Sequence, residues 1–211
     1  SIVTTATMSG IISTYFLTGP LSKENPVLSI TLAIMLSLVI AAIAGIINGY
    51  IVAYIGVAAM LVTLGTTTLF EGISLNLTKG GSISGFPIIF SYITVKNILG
   101  IPVPFIIYII FILLSYLILH KSAFGTKIYM IGCNETATEF SGINTKKIIL
   151  MTYIYSAILS AVSGIIMMSR YNSAKVDFGS SYVMQSITAV ILGGVSISGG
   201  HGNIFGTVIS V

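Results

Sequence analysis

Charge is what this sequence has least of. Asp, Glu, Lys and Arg make up 7% of its 211 residues, against 55% for the hydrophobic types. Mean hydropathy is +1.05. A soluble domain carries about 25% charged residues, so this chain lacks the polar groups to cover a water-facing surface. Cysteine is scarcer still. Cys133 stands alone, which excludes an intrachain disulfide and a cysteine-based metal cluster. The net charge of +4 is spread through the loops with no basic patch and interleaved aromatics, so nucleic acid is not an expected partner. Paired carboxylates, a histidine cluster and a nucleophile with its base are also missing. The chain therefore offers no catalytic constellation and calls for no cofactor or metal.

Long apolar runs are what remains. Residues 25–70 contain no Lys, Arg, Asp or Glu, which is room for two crossings at about 20 residues each. Residues 97–119 and 148–169 each fit one crossing, and 178–211 is uncharged apart from His201. Barrel strands would be about 10 residues with strict alternation. These runs are longer and continuously apolar, so the expected fold is all-α, a polytopic bundle in the lipid bilayer in which each helix satisfies its own backbone. The expected segments are 1–18, 26–54, 57–77, 101–119, 148–169 and 185–197, with a further one opening at Asn203 and a tight turn near Ile55–Gly56. Loops are expected at 19–25, 78–100, 120–147 and 170–184, several with Gly-Pro, Gly-Gly or Phe-Pro turn chemistry. The whole of 1–211 is taken as one transmembrane domain, cut at both ends, since Ser1 opens and Val211 closes inside apolar stretches. Lys and Arg are balanced between the two sides, so the positive-inside rule does not orient the bundle.

The helices are dotted with small and hydroxyl residues, as in Ala41-Ala42-Ile43-Ala44-Gly45 and Thr63-Leu64-Gly65-Thr66-Thr67-Thr68. Small residues let helix backbones approach where lipid gives no hydrophobic drive for association. Glu71 is the one carboxylate inside an apolar crossing. Intramembrane ionisable groups are functional candidates, but Glu71 is near a segment end and two readings stand: a place on a translocation path, or a side chain that reaches the interface. Gly193, Gly194, Gly199 and Gly200 interrupt a further apolar region. Gly194 and Gly199 have the outer spacing of a phosphate loop, but Gly200 and His201 stand where Lys and Ser or Thr are required. The interruption is then either a broken membrane segment lining the path or a tight turn at the surface.

Within 120–147, residues 134–142 form a short helix by their chemistry. Asn134 can cap the first amides, Glu135 suits the positive end, and Gly142 is a natural stop. Thr136 with Glu139 is an alternative capping box. Ala137 and Phe140 share a face, which suits either docking to a partner or lying on the protein's own surface.

Residues 125–144, GTKIYMIGCNETATEFSGIN, closely resemble the cytoplasmic loop of the ribose-type ABC transporter permeases. ITAVILGG at 187–194 with GGHG at 199–202, and VTLG at 62–65, are similar to further stretches of that family in the same order. The chain departs from the pattern at Cys133, where glycine is common, at Glu71-Gly72, where a basic residue often precedes the glycine, and at Val183 and Gln185, where Glu and Asp are frequent. The resemblance implies an inner-membrane, multi-pass subunit that works as a homo- or heterodimer of permeases. It implies a cytosolic ATP-binding subunit that hydrolyses ATP for it, and an extracytoplasmic binding protein that delivers a simple sugar. It makes 120–147 a cytoplasmic coupling loop whose ATPase-docking residues are Gly132, Asn134, Glu135, Ala137, Phe140 and Gly142. Glu71, Gly193, Gly194, Gly199 and Gly200 are candidates for the translocation path. The alternative reading is an ion-coupled secondary transporter with a coupling site at mid-bilayer.

Overall fold

The computed structural model describes residues 1–98, 100–196 and 199–211. Its secondary structure is helical apart from two-residue strands. α1 (Ile2–Thr18) and a short α2 (Leu21–Glu24) lead into α3 (Pro26–Tyr50). A π-helical turn, Ile51–Ile55, ends at Gly56 in the left-handed region (φ 81°), the turn expected there. α4 (Ala59–Thr78) follows, then β1 (Ile83–Ser84), α5 (Ile88–Val95), β2 (Asn97–Ile98) and β3 (Ile101–Pro102). α6 (Val103–Lys121), α7 (Ala123–Cys133) and α8 (Glu135–Phe140) lead to α9 (Thr145–Tyr171). β4 (Ser173–Ala174) and a 3-10 turn (Val176–Gly179) precede α10 (Ser180–Leu192) and α11 (Ile204–Ser210).

Among the described residues three helices are long and apolar enough to cross a membrane: α3 with its π-helical extension, α6 and α9. α4 has the length, but Thr63, Thr66, Thr67, Thr68, Glu71 and Asn76 dilute its hydropathy. α1 has 17 residues, about 26 Å of helix at 1.5 Å per residue. It crosses little lipid of its own because it is the buried centre of the bundle, packed between α3, α9 and α4.

α3 and α9 run antiparallel and meet through small residues. A Cβ on Gly45 would fall 2.8 Å from Ala157 Cβ and 2.9 Å from Ile154 Cα, and one on Gly49 would fall 3.1 Å from Leu150 Cα. Ala41 and Ala161 are fully buried one turn further along their helices. α1 meets α9 in the same way, since a Cβ on Gly164 would fall 2.5 Å from the Ala6 carbonyl oxygen. Backbones brought this close maximise dispersion contact, the main attraction left between helices in lipid.

The centre of α1 is polar. Thr7, Ser9, Ser13 and Thr14 are all buried, and each hydroxyl donates to the carbonyl three residues earlier in its own helix. Ser37 on α3 also donates to Ser9 Oγ at 3.2 Å. Self-satisfied hydroxyls cost little to bury and leave the helix slender enough for close neighbours.

At one end of the bundle Leu17, Phe86, Phe90, Ile165 and Met168 form an apolar cap. Ser169 donates to the Phe90 carbonyl at 2.7 Å, and β1 pairs antiparallel with β4. α5 thus belongs to the core, although 78–100 carries enough turn residues to pass for a loop. Pro87 stands at its N-cap, where a missing N–H costs nothing, and Phe90 is 1% exposed. α7 and α8 occupy the opposite end, between α6 and α9. Among the described residues none of α6 is buried. Its link to α9 includes a 2.7 Å hydrogen bond between Ser115 and Tyr155.

Gly45→Ala is expected to destabilise the bundle by about 1–3 kcal/mol through overpacking. Gly65→Ala, where a Cβ meets no described atom within 4 Å, is expected to leave stability unchanged. Thermal unfolding in detergent checks the pair: the Gly45 variant melts lower and the Gly65 variant does not, and equal midpoints would contradict the close α3–α9 approach.

Candidate functional site: the helical end loop and an uncharged cavity

The 120–147 stretch is helical for most of its length. Ser122 closes α6 and opens α7, its hydroxyl accepting from Phe124 N at 3.2 Å and Gly125 N at 3.3 Å. α7 was hidden in the sequence by Gly125 and Gly132, which are poor helix formers. Both are packing positions. Gly125 lies against the Leu119 backbone, and Gly132 lies against Gly200, where a Cβ would fall 2.5 Å from the Gly200 amide nitrogen.

α8 has the chemistry expected of it. Asn134 caps it, with Oδ1 accepting from Ala137 N at 2.9 Å. Glu135 sits in the first turn, and Gly142 follows in the left-handed region at φ 79°. Of the two capping schemes left open by the sequence, the Asn134 cap is the one formed. Thr138 is the buried side of α8, and its hydroxyl donates to the Asn134 carbonyl at 2.7 Å. Ala137 is exposed, and Phe140 is 89% exposed. Beside them lies an open hollow of about 400 Å³ lined by Tyr129, Met130, Cys133, Asn134, Ala137 and Ser141, among others. Tyr129, Met130 and Cys133 escaped the sequence reading. The signal was there: with Thr126 they fall at i, i+3, i+4 and i+7, one face of a helix.

The glycine-interrupted region divides in two. Gly193 closes α10 against α11, where a Cβ would fall 2.5 Å from Thr207 Cα, and Gly194 turns the chain at φ 78°. Gly199 (φ 88°) and Gly200 (φ 79°) stand beside Gly132 and Cys133 of α7. Ile197 and Ser198, part of the expected interruption, lie outside the described residues. The structure therefore joins Gly132 of the docking set to Gly199 and Gly200 of the path set. Glu71 is elsewhere, exposed on α4 next to Phe70, which is buried with Met8 and Ala44.

A cavity of about 720 Å³ lies between α1, α9, α10 and α11. Its lining is mostly apolar, with polar side chains from Ser160, Ser163, Tyr182, Gln185, Ser186, Thr188 and Ser210, and among the described residues none of it is charged. A smaller hollow of about 210 Å³ lies across the first turn of α1, sharing Ile2 and Ser160 with the larger. Thr5, Asn48, Thr63, Thr152 and Ser156 line it, and Asn48 Oδ1 is buried without a hydrogen-bond partner among the described residues. Hydroxyls and amides without charge can hydrogen-bond a neutral polar solute.

Asn134→Ala removes the α8 cap, a loss of about 0.5–2 kcal/mol. The expected result is faster amide exchange in 135–140 with exchange in α9 unchanged, read by hydrogen–deuterium exchange mass spectrometry.

All 211 residues match the family described as branched-chain amino acid transport system / permease component. The autoinducer 2 import system permease protein LsrD of Yersinia enterocolitica is 35% identical over 166 residues, covering 76% of this chain and 50% of that protein. The proteins of the same name from Yersinia pestis and Yersinia pseudotuberculosis match over the same length at 35% and 34% identity. The chain thus spans about half the length of the curated relatives it matches. No solved structure matches it. A match along the whole sequence, with helices long and apolar enough to cross a membrane and a capped helix at one end of the bundle, leads to one conclusion: the chain belongs to the permease-component family of membrane transport systems.

Proposed function

We propose that this chain is the bundle-forming part of a permease subunit in an ATP-driven importer of a small neutral solute. The observation that carries the proposal is α8: a capped helix at one end of a membrane bundle with an apolar side chain, Phe140, standing 89% exposed beside an open hollow. Exposed aromatics are common interface anchors, and the same helix lends Ala137 and Ser141 to the hollow. The partner for it is a cytosolic ATP-binding subunit. Residues 120–147 are then the cytoplasmic coupling region, with Asn134, Glu135, Ala137, Phe140 and Gly142 at the contact. α5 faces the other side of the inner membrane, where a binding protein delivers the solute. A second permease subunit, identical or related, completes the path.

The uncharged lining of the large cavity supports a simple sugar or a sugar-like signal as cargo. The relatives named for autoinducer 2 import favour the second. ATP hydrolysis belongs to the partner. It drives alternating access because the nucleotide-loaded ATPase binds the inward- and outward-facing forms with different affinity. Ion-coupled transport has less support, since Glu71, its candidate carboxylate, is exposed on α4 and outside the cavity lining.

Two experiments test this. In the full-length protein Phe140→Asp is expected to weaken ATPase retention by about 30-fold or more, the effect of losing a hot-spot anchor of about 2 kcal/mol. Co-purification from native membranes in mild detergent measures it, and retention unchanged by the substitution would contradict the docking face. Ser163→Val combined with Gln185→Leu removes two polar groups from the cavity. The half-saturation concentration for uptake is expected to rise about tenfold at normal expression, from two lost hydrogen bonds.

A further inference from the structure

The contact between α7 and the Gly199–Gly200 loop is tighter than any function described so far requires. Three glycines interlock there. A Cβ on Gly132 would fall 2.5 Å from Gly200 N and 3.1 Å from Gly200 Cα. One on Gly199 would fall 3.1 Å from the Gly132 carbonyl oxygen, and one on Gly200 would fall 3.1 Å from Cys133 Sγ. The surfaces in contact are backbone, with no long side chain between them to bend. Around this seat Tyr129 donates its hydroxyl to the Gly202 carbonyl at 3.3 Å. A file of rings, Tyr129, His120, Tyr116 and Phe205, runs from α7 through α6 to α11 with centroids 6.1, 5.1 and 5.3 Å apart.

Beyond the seat the chain is also stiff. α10 and α11 are held as a hairpin by Gly193 against Thr207 and by Ser210 Oγ donating to the Ala189 carbonyl at 2.6 Å. α10 in turn supplies Gln185, Ser186 and Thr188 to the large cavity. Closely packed interiors transmit displacement with little yield. A continuous chain of packed elements therefore runs from α8, through α7 and the glycine seat, to the cavity wall.

We propose that Gly132, Gly199 and Gly200 form a rigid joint that carries movement of the docking helix into the α10–α11 hairpin. Gly132 is then a positioning residue that faces this loop and not the ATPase. The inference rests on the permease reading above. It adds two predictions that reading does not make: the joint tolerates being locked, and it fails when wedged apart.

The experiment uses the full-length permease with its ATPase in proteoliposomes. Gly200→Cys places a second thiol next to the native Cys133, and since a side chain at this left-handed position is itself strained, the reduced variant and not the wild type is the reference. Oxidation is expected to form the disulfide, shown by mass spectrometry, with uptake equal to that of the reduced variant because the two sides already move together. Gly132→Ala and Gly132→Val wedge the seat. Both are expected to keep ATP hydrolysis, with uptake per ATP falling progressively to about tenfold below wild type. Failure of the disulfide to form, loss of uptake on its formation, or uptake per ATP unchanged in Gly132→Val would each overturn the joint. A wild-type protein that takes up solute without ATP, or that holds no ATPase, would instead overturn the permease reading.

Discussion

Everything in this bundle depends on how closely α3, α9 and α1 approach. In lipid, apolar side chains gain nothing by leaving the solvent for each other, so association rests on dispersion and on the few polar contacts available. Gly45, Gly49 and Gly164, with Ala41, Ala157 and Ala161, remove the side-chain layer between the helices and bring backbone against backbone. That approach makes room for a central helix whose buried side chains are small, and the smallness in turn permits hydroxyls. Thr7, Ser9, Ser13 and Thr14 are buried because their own helix satisfies them, with Ser37 of α3 adding a bond to Ser9. The result is a stiff three-helix centre with α4, α6 and the α10–α11 hairpin placed around it.

Function follows from what this centre leaves uncovered. At the α5 end, Phe86 and Phe90 close the bundle and a strand pair ties two loops together. At the α8 end, backbone and side chains are offered outward, with a capped helix, an exposed aromatic and a hollow beside it. Between them, the cavity wall on the α10 side is lightly tied to the centre, since its contact with α1 is slight and its main partners are α11 and the preceding 3-10 turn. A wall loosely held by the centre, and reached from the docking end through the Gly199–Gly200 loop and the Tyr116–Phe205 ring pair, is suited to move when that end is pushed.

Much of this was legible from residue order. Lengths of uncharged sequence gave the main crossings to within a few residues, because backbone satisfaction in lipid leaves a helix as the one local solution. Asn134, Glu135 and Gly142 announced α8 because capping is local chemistry. The misses have one cause. α5 and α7 were taken for loops because Pro87, Gly125 and Gly132 carry turn or breaker chemistry, whereas Phe90 and Gly132 are set by contacts with Ser169 and Gly200 that no local window contains. α10 likewise begins at Ser180, five residues before the expected Gln185, because the 3-10 turn at Val176–Gly179 feeds straight into it. The meeting of Gly132 with Gly200 joins residues 68 positions apart, and spacing along the chain gives no sign of it.

The most direct test of the account is to ask what Phe140 touches in the native membrane. A photoreactive phenylalanine analogue at position 140 of the full-length protein, activated in intact membranes, is expected to give a covalent adduct with an ATP-binding subunit. The same analogue at Leu113, exposed on α6, should yield no such adduct. Finding the ATPase adduct at 140 and not at 113 would establish the docking end of the bundle. Adducts with lipid or with the chain itself at 140, and none with an ATPase, would contradict the assignment of α8 as the point where the transporter is driven.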